Sequence, residues 1–457
     1  MTRIPPSSVL SGVAVVVAVT VASSAQINDR TDDVRLAAVS GPARNVILFI
    51  GDGMGDSEIT AARNYAVGAA GRLAMDSLPM TGAYTTYSIQ EGDPALPDYV
   101  TDSAASGTAW ATGRKTSNGR ISTTARSDQD LPTILEIAQQ RGMRTGDITT
   151  AELTDATPAV LASHVANRSC QGPADMAACP QDRRSAGGPG SIAEQLLAHD
   201  VDVLMGGGAA RFEEQPMDDG RLPIQDALAR GYRVVGGEAG FGLAVAGQKL
   251  LGLFAVGNMA VEWSGDEAIP YPSNVSKPQR CREDHRPLGQ PALAEMTAKA
   301  IELLDRPSGP GFFLQVEGAS IDKEDHNANP CGQIGETIAF DRAIRIGIEF
   351  AHRHPDTLLV VTADHGHTSQ IVSVPTDASH PAGVMSVLLT HDGAPMTMSY
   401  ATNAYHHSMD HTGTEVRIAA MGPLAANVTG VIDQTDLFRV MLRAISTKEQ
   451  LVRANSR

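Results

Sequence analysis

The residues of this chain best suited to chemistry sit where apolar runs end. Asp52 follows Asn45-Val-Ile-Leu-Phe-Ile50, Glu317 follows Gly311–Val316, and Asp364-His365 follows Thr357–Thr362. Open α/β sheets bind ligands beyond the carboxyl ends of their strands, so these side chains are placed to converge on one sheet edge. Asp322 and His326 are four apart, which puts them on one face if the segment is helical, and a carboxylate with an imidazole suits zinc. Spacing leaves open whether Asp322 or Asp325 pairs with His326. His411 lies just before a last apolar run, Glu415–Met421. Asp102-Ser103 opens the small-residue run Ala104-Ala-Ser-Gly-Thr-Ala-Trp110, which reads as a helix with Ser103 at its N-terminus. Backbone N–H groups and the helix dipole collect anions there, phosphate included. Singly, each of these residues would be an ordinary cap or a solvated histidine. Several at successive strand ends are harder to explain that way.

Alternating strands and helices must hold these groups. Asp56-Ser57 caps a helix through Val67 that Gly68 stops; a helix Pro132–Gln140 stops at Gly142, before strand Thr145–Thr150. Beyond a loop with Asp155 and Thr157, Pro158 starts a helix expected to end near Arg168. Ser191-Ile-Ala-Glu194 is a capping box before Gln195–His199, and Val201–Met205 runs into Gly206-Gly-Gly208. Those glycines read as a tight strand exit, since the Lys-Ser/Thr of a phosphate loop does not follow. Helices Ala292–Asp305, Gly335–His354 and Thr435–Ile445 complete the alternation. The pattern predicts a three-layer α/β/α sandwich with a large, mostly parallel central sheet. Residues 44–448 read as one catalytic domain, 238–290 as a surface excursion from it, and 449–457 as a tail.

Composition narrows the partners. The 457 residues hold 36 Lys plus Arg against 52 Asp plus Glu, a formal charge of -16, which argues against a nucleic-acid surface. Positive charge for an anionic substrate must then be local, and metal ions are one source. Arg3 precedes the apolar run Val9–Val21 and the small residues Ala22–Ala25, a secretory signal cut after Ala25. That run is too short for a comfortable membrane span, so a soluble periplasmic or secreted protein is expected, with 26–43 as a polar arm. Four cysteines in an exported chain suggest two disulfides. Of three pairings, the short Cys170–Cys179 loop leaves Cys281–Cys331 as the natural partition.

Taken in order, Ile50-Gly-Asp-Gly-Met-Gly-Asp-Ser57, Tyr99–Trp110, Gln315-Val-Glu-Gly-Ala-Ser-Ile-Asp-Lys323, Val361-Thr-Ala-Asp-His365 and His411-Thr-Gly413 closely resemble the motifs of bacterial alkaline phosphatases. The likeness runs from about Asn45 to Ile445. It implies hydrolysis of phosphomonoesters through a phosphoserine on Ser103, releasing inorganic phosphate at a site with two zinc ions and one magnesium. It also implies Asp322, His326 and His411 on one zinc; Asp52, Asp364, His365 and, variably, Ser103 on the other; and Asp52, Thr157 and Glu317 on magnesium. Asp155 and Lys323 match positions acting through water on magnesium and phosphate, and Arg168 matches the arginine that clamps phosphate. Asp102 is expected to orient Arg168, and His367 to orient a zinc ligand; His406-His407 match no family ligand. A homodimer is implied as well. A sulfatase is disfavoured, because no C/S-x-P-x-R signature surrounds Ser103. An inactive phosphate or metal binder is disfavoured by the presence of both Ser103 and Arg168.

Overall fold

Seven successive buried residues make β1 (Asn45–Gly51), near the middle of a ten-stranded sheet. The computed structural model describes residues 31–39, 41–270, 277–283, 286–373 and 383–446, so the expected signal segment and C-terminal tail lie outside the described residues. The other nine strands are β2 (Met80–Thr85), β3 (Arg144–Glu152), β4 (Val203–Gly207), β5 (Tyr232–Val235), β6 (Lys249–Leu253), β7 (Phe312–Gly318), β8 (Thr357–Ala363), β9 (Val416–Met421) and β10 (Gly430–Asp433). Their spatial order is β10-β2-β9-β8-β1-β7-β3-β4-β6-β5. Within this sheet β9 alone runs against the rest, pairing antiparallel with β8 and β2. Strands such as β1, β7 and β8, buried along their whole length, read as unbroken apolar runs because helices cover both faces.

The helices that matter for the site are α1 (Thr31–Ala37), α2 (Asp56–Val67), α3 (Ser103–Thr112), α4 (Ile134–Gln140), α5 (Ala156–Ala162), α6 (Ile192–Ala198), α7 (Leu293–Leu304), α8 (Ser320–His326), α9 (Pro330–Arg353) and α10 (Gln434–Ala444). Helices α2 and α7 both pack on α9, and α3, α4, α5 and α10 form a second set. The sheet lies between these sets, giving the three layers. All ten residues of α3 are buried, and their small size is what permits it. A Cβ on Gly107 would stand 2.8 Å from Val160 Cγ1 of α5, inside contact distance. Both expected disulfides are present, Cys170–Cys179 and Cys281–Cys331.

Three segments depart from the sequence reading. The helix expected to reach Arg168 stops at Ala162: Ser163 turns extended, and Val165 exchanges backbone hydrogen bonds with Ile121 at 3.1 Å each way. Arg168 therefore stands on a loop, its N–H donating to the Gly119 carbonyl. The expected excursion 238–290 supplies β6, which inserts between β4 and β5 because Leu250 and Leu251 are fully buried there. It also lends Ile269–Pro270 to a four-stranded antiparallel sheet with Ser369–Val372, Val384–Leu389 and Pro395–Tyr400. The arm holds α1, which touches β9 and buries Ala37.

Candidate active site

Strands β7 and β8 flank β1 in parallel register, with Gly51 opposite both Gly318 and Ala363. Asp52, Glu317 and Asp364 therefore leave one edge of the sheet at the same level, and all three are buried. Gly53 takes φ +66 just after Asp52, a turn that favours glycine, and its N–H donates to Asp364 Oδ1 at 2.8 Å. His365 Nε2 lies 3.1 Å from Asp364 Oδ2 and 3.5 Å from Asp52 Oδ1. Ser103 Oγ faces the same pair, 3.3 Å from His365 Nε2 and 3.5 Å from Asp52 Oδ1. Ser103 is the first residue of α3, whose N-cap is Asp102, accepting from the Ala105 N–H at 2.9 Å.

Helix α8 leaves the end of β7 and presents Asp322 and His326 together. Asp322 Oδ1 lies 3.2 Å from His367 Nε2, 3.2 Å from His411 Nε2 and 3.5 Å from His326 Nε2. His411 Nδ1–H donates to the Thr101 carbonyl at 3.1 Å, and His326 Nδ1 meets the Met409 carbonyl, so both rings turn Nε2 toward Asp322. Asp325 points elsewhere: it is fully buried, and neither carboxylate oxygen finds a hydrogen-bond donor.

These groups have the form of metal sites. Asp322, His326, His367 and His411 make one set and Asp52, Asp364 and His365 another, with ligand atoms within 4.8 Å of one another in each. Asp322 Oδ1, Asp364 Oδ2 and Thr157 Oγ1 are buried without a hydrogen-bond partner, a costly state that a cation would relieve. Burial above all, with Asp322, Asp364 and Glu317 close by, pushes the Asp52 carboxyl well above its ordinary range. Burial pushes Glu317 up to about 8 against a hydrogen bond from Thr149 Oγ1. Asp322 goes the other way: burial would raise it, but the imidazoles hold it well below. Carboxylates crowded this closely favour bound cations.

A cavity of about 670 Å³ opens onto Ser103, Asp322, His326 and His411. Arg168 lines it with 31 % of its side chain exposed, Nη1 3.2 Å from Asp102 Oδ2 and Nη2 2.9 Å from Asp155 Oδ1. Asp155 Oδ2 accepts from Lys323 Nζ at 2.8 Å. Burial alone would lower the Lys323 ammonium, yet Asp155, Asp52 and Asp322 hold it above its ordinary range. The structure thus gathers the site residues expected from the sequence, with Arg168 and Asp155 at the rim. His406 and His407 join no metal-shaped group among the described residues. Thr149, opposite Glu317 in the β3–β7 register, was not legible as a site residue, because only that pairing brings the two together.

Fold and site together define a metal-dependent hydrolase of the α/β/α class. The family model for alkaline phosphatase matches residues 43–407 and 401–447. The chain is 53 % identical over 418 residues to a streptomycin-6-phosphate phosphatase of Streptomyces griseus, covering 89 % of this chain and 91 % of that one. It is 51 % identical over 430 residues to the alkaline phosphatase of Escherichia coli, covering 92 % and 90 %. The crystal structure of Thermus thermophilus alkaline phosphatase shares the fold, with TM-score 0.66 at 22 % identity over 94 % of this chain and 98 % of that one. The chain belongs to the alkaline phosphatase family and is a phosphomonoesterase.

Proposed function

We propose that Ser103 is the nucleophile of this phosphomonoesterase and that the crowded carboxylates and imidazoles hold two zinc ions and one magnesium. The carrying observation is the buried Ser103 hydroxyl between Asp52 and His365, at a helix N-terminus that opens on the Arg168-lined cavity. Asp322, His326 and His411 would hold one zinc; Asp52, Asp364 and His365, with Ser103, the other; Asp52, Thr157 and Glu317 the magnesium. What these ions supply when bound is Lewis acidity, lowering the pKa of a coordinated hydroxyl and offsetting charge on reacting oxygens.

Ser103 Oγ passes its proton to solvent and attacks phosphorus in line; the bond to the alcohol oxygen breaks, that oxygen leaves as the alcohol after taking a proton from solvent, and phosphate remains on the serine. Water then attacks the phosphoserine from the vacated side, inorganic phosphate leaves, and the hydroxyl is restored. Arg168 offers a planar fork to two non-bridging oxygens, which a lysine would match less well. Asp102 and Asp155 hold that fork from behind, and His367 orients Asp322. Asp155 and Lys323, paired at 2.8 Å, would act through water on the magnesium and on phosphate. Recognition by phosphate alone predicts a broad range of alcohol portions.

Hydrolysis of a simple aryl phosphate at alkaline pH tests the metal reading. Chelation should abolish it, and zinc with magnesium together should restore it; turnover that survives exhaustive chelation would remove the metals from the mechanism. The two disulfides support export of a chain cut after Ala25, to the periplasm or medium. Exposed Leu96 and Tyr99, beside a groove lined by Pro97 and Gly413, support a homodimer of single-domain chains spanning 44–448. The exported protein should begin at Gln26 and scatter light as a dimer; a monomer or an uncut chain would contradict this.

A further inference from the structure

A second kind of histidine–carboxylate cluster lies away from the phosphatase centre. Glu136 of α4, His164 beyond α5 and His199 at the C-terminus of α6 bring their ligand atoms within 4.8 Å of one another. Glu136 Oε1 is 3.0 Å from His164 Nε2 and 2.9 Å from His199 Nε2. Every member is oriented by the backbone. His164 Nδ1 faces the Ser122 carbonyl at 3.0 Å and His199 Nδ1 faces the Gln195 carbonyl at 3.1 Å. A carbonyl can only accept, so both rings carry a proton on Nδ1 and, when neutral, aim an Nε2 lone pair at Glu136. Glu136 Oε2 accepts from the Thr133 N–H at 2.9 Å in a capping box, which leaves Oε1 for the imidazoles.

Two lone pairs aimed at a carboxylate oxygen repel unless a cation stands between them. Protons on both imidazoles would serve, and so would a metal ion. Ligands ~2.0–2.1 Å from zinc at tetrahedral angles lie ~3.3 Å apart, within a few tenths of the separations here. Imidazoles whose far nitrogen donates to a backbone carbonyl are the usual zinc-ligand arrangement. His164 is 8 % and His199 28 % exposed at the side chain, and a cavity of about 310 Å³ beside them, lined also by Asp130, Pro132 and Pro189, gives solvent access. That access leaves room for water at a fourth position. We infer that Glu136, His164 and His199 form a separate binding site for a zinc-like divalent transition metal, clamping α4, the α5 exit and α6.

The test compares wild type with His199→Ala, a partly exposed position outside the phosphatase centre. Both are dialysed against the same buffered micromolar zinc, and metal per chain is counted by elemental analysis alongside phosphatase activity. Wild type should hold one zinc per chain more than His199→Ala at equal activity. Added zinc should raise the melting temperature of wild type and not of the variant. Glu136→Gln keeps an oxygen for the Thr133 cap while weakening the ligand, and should lose the same zinc. Equal zinc counts in wild type and both variants would overturn the inference and leave the cluster a hydrogen-bonded one without metal.

Discussion

Replacing Ser103 by alanine should lower phosphomonoester turnover by on the order of 10³-fold or more, since it removes the attacking atom and leaves only water in its place. Stability should be unaffected. Among the described residues the hydroxyl faces Asp52 and His365, while the cap that holds the α3 N-terminus is the Asp102 carboxylate. The fork of Arg168 is likewise held by Asp102 and Asp155, so the variant should still bind inorganic phosphate. Acid quench during turnover of a phosphorus-labelled substrate makes the distinction direct. Wild type should yield an acid-stable label on Ser103, and the alanine variant none. Activity within tenfold of wild type, or a label that moves to Thr101 or Thr402 on the cavity wall, would remove Ser103 from the nucleophile's place.

Much of this arrangement was legible in the chain, and the reasons are local. Strands β1 and β8 are buried along their whole length, so their sequences are unbroken apolar runs, and Asp52 and Asp364 mark where each run stops. Helix α3 announces itself through Asp102 and the small residues that let all ten positions be buried. What escaped was set by partners distant in sequence. The end of α5 is decided by Val165 pairing with Ile121, over forty residues earlier. The short stretch Lys249–Leu253 becomes a strand because β4 and β5 stand on either side of it. Thr149 reaches Glu317 only through strand register, and Glu136, His164 and His199 lie on three separate elements with no spacing to betray them.

The open choice between Asp322 and Asp325 shows how a helix resolves what spacing cannot. Once Ser320–His326 is helical, Asp322 and His326 stand one above the other a turn apart, whereas Asp325, the neighbour of His326, is turned about 100° away from it. There its carboxyl meets no donor and joins no metal-shaped group among the described residues, and burial with Glu58 nearby pushes it well above its ordinary range. What sets Asp322 apart is geometry: three imidazoles face its Oδ1, and Asp325 faces none of them. The two aspartates thus have opposite environments, although three positions separate them.

That contrast leads to the second large effect, a matched pair of variants. Asp322→Asn should remove about one zinc per chain, because Asp322 Oδ1 is the atom that three imidazoles face. Turnover should fall by ~10²-fold or more, since the loss of even outer partners of a metal site costs up to that. Stability should follow the metal: an ion present at a thousand times its dissociation constant stabilises the fold by ~4 kcal/mol, and the variant forgoes that contribution. In excess chelator the wild type loses the same contribution, so the two proteins should melt close together there and far apart in zinc. Asp325→Asn changes a side chain that belongs to no metal-shaped group among the described residues for an amide of nearly the same shape, and should leave zinc content and turnover within a few-fold of wild type. The decisive measurement is zinc per chain beside turnover for both variants. If Asp325→Asn lost the metal and Asp322→Asn kept it, the ligand would be Asp325, and the cluster of imidazoles around Asp322 would need another explanation.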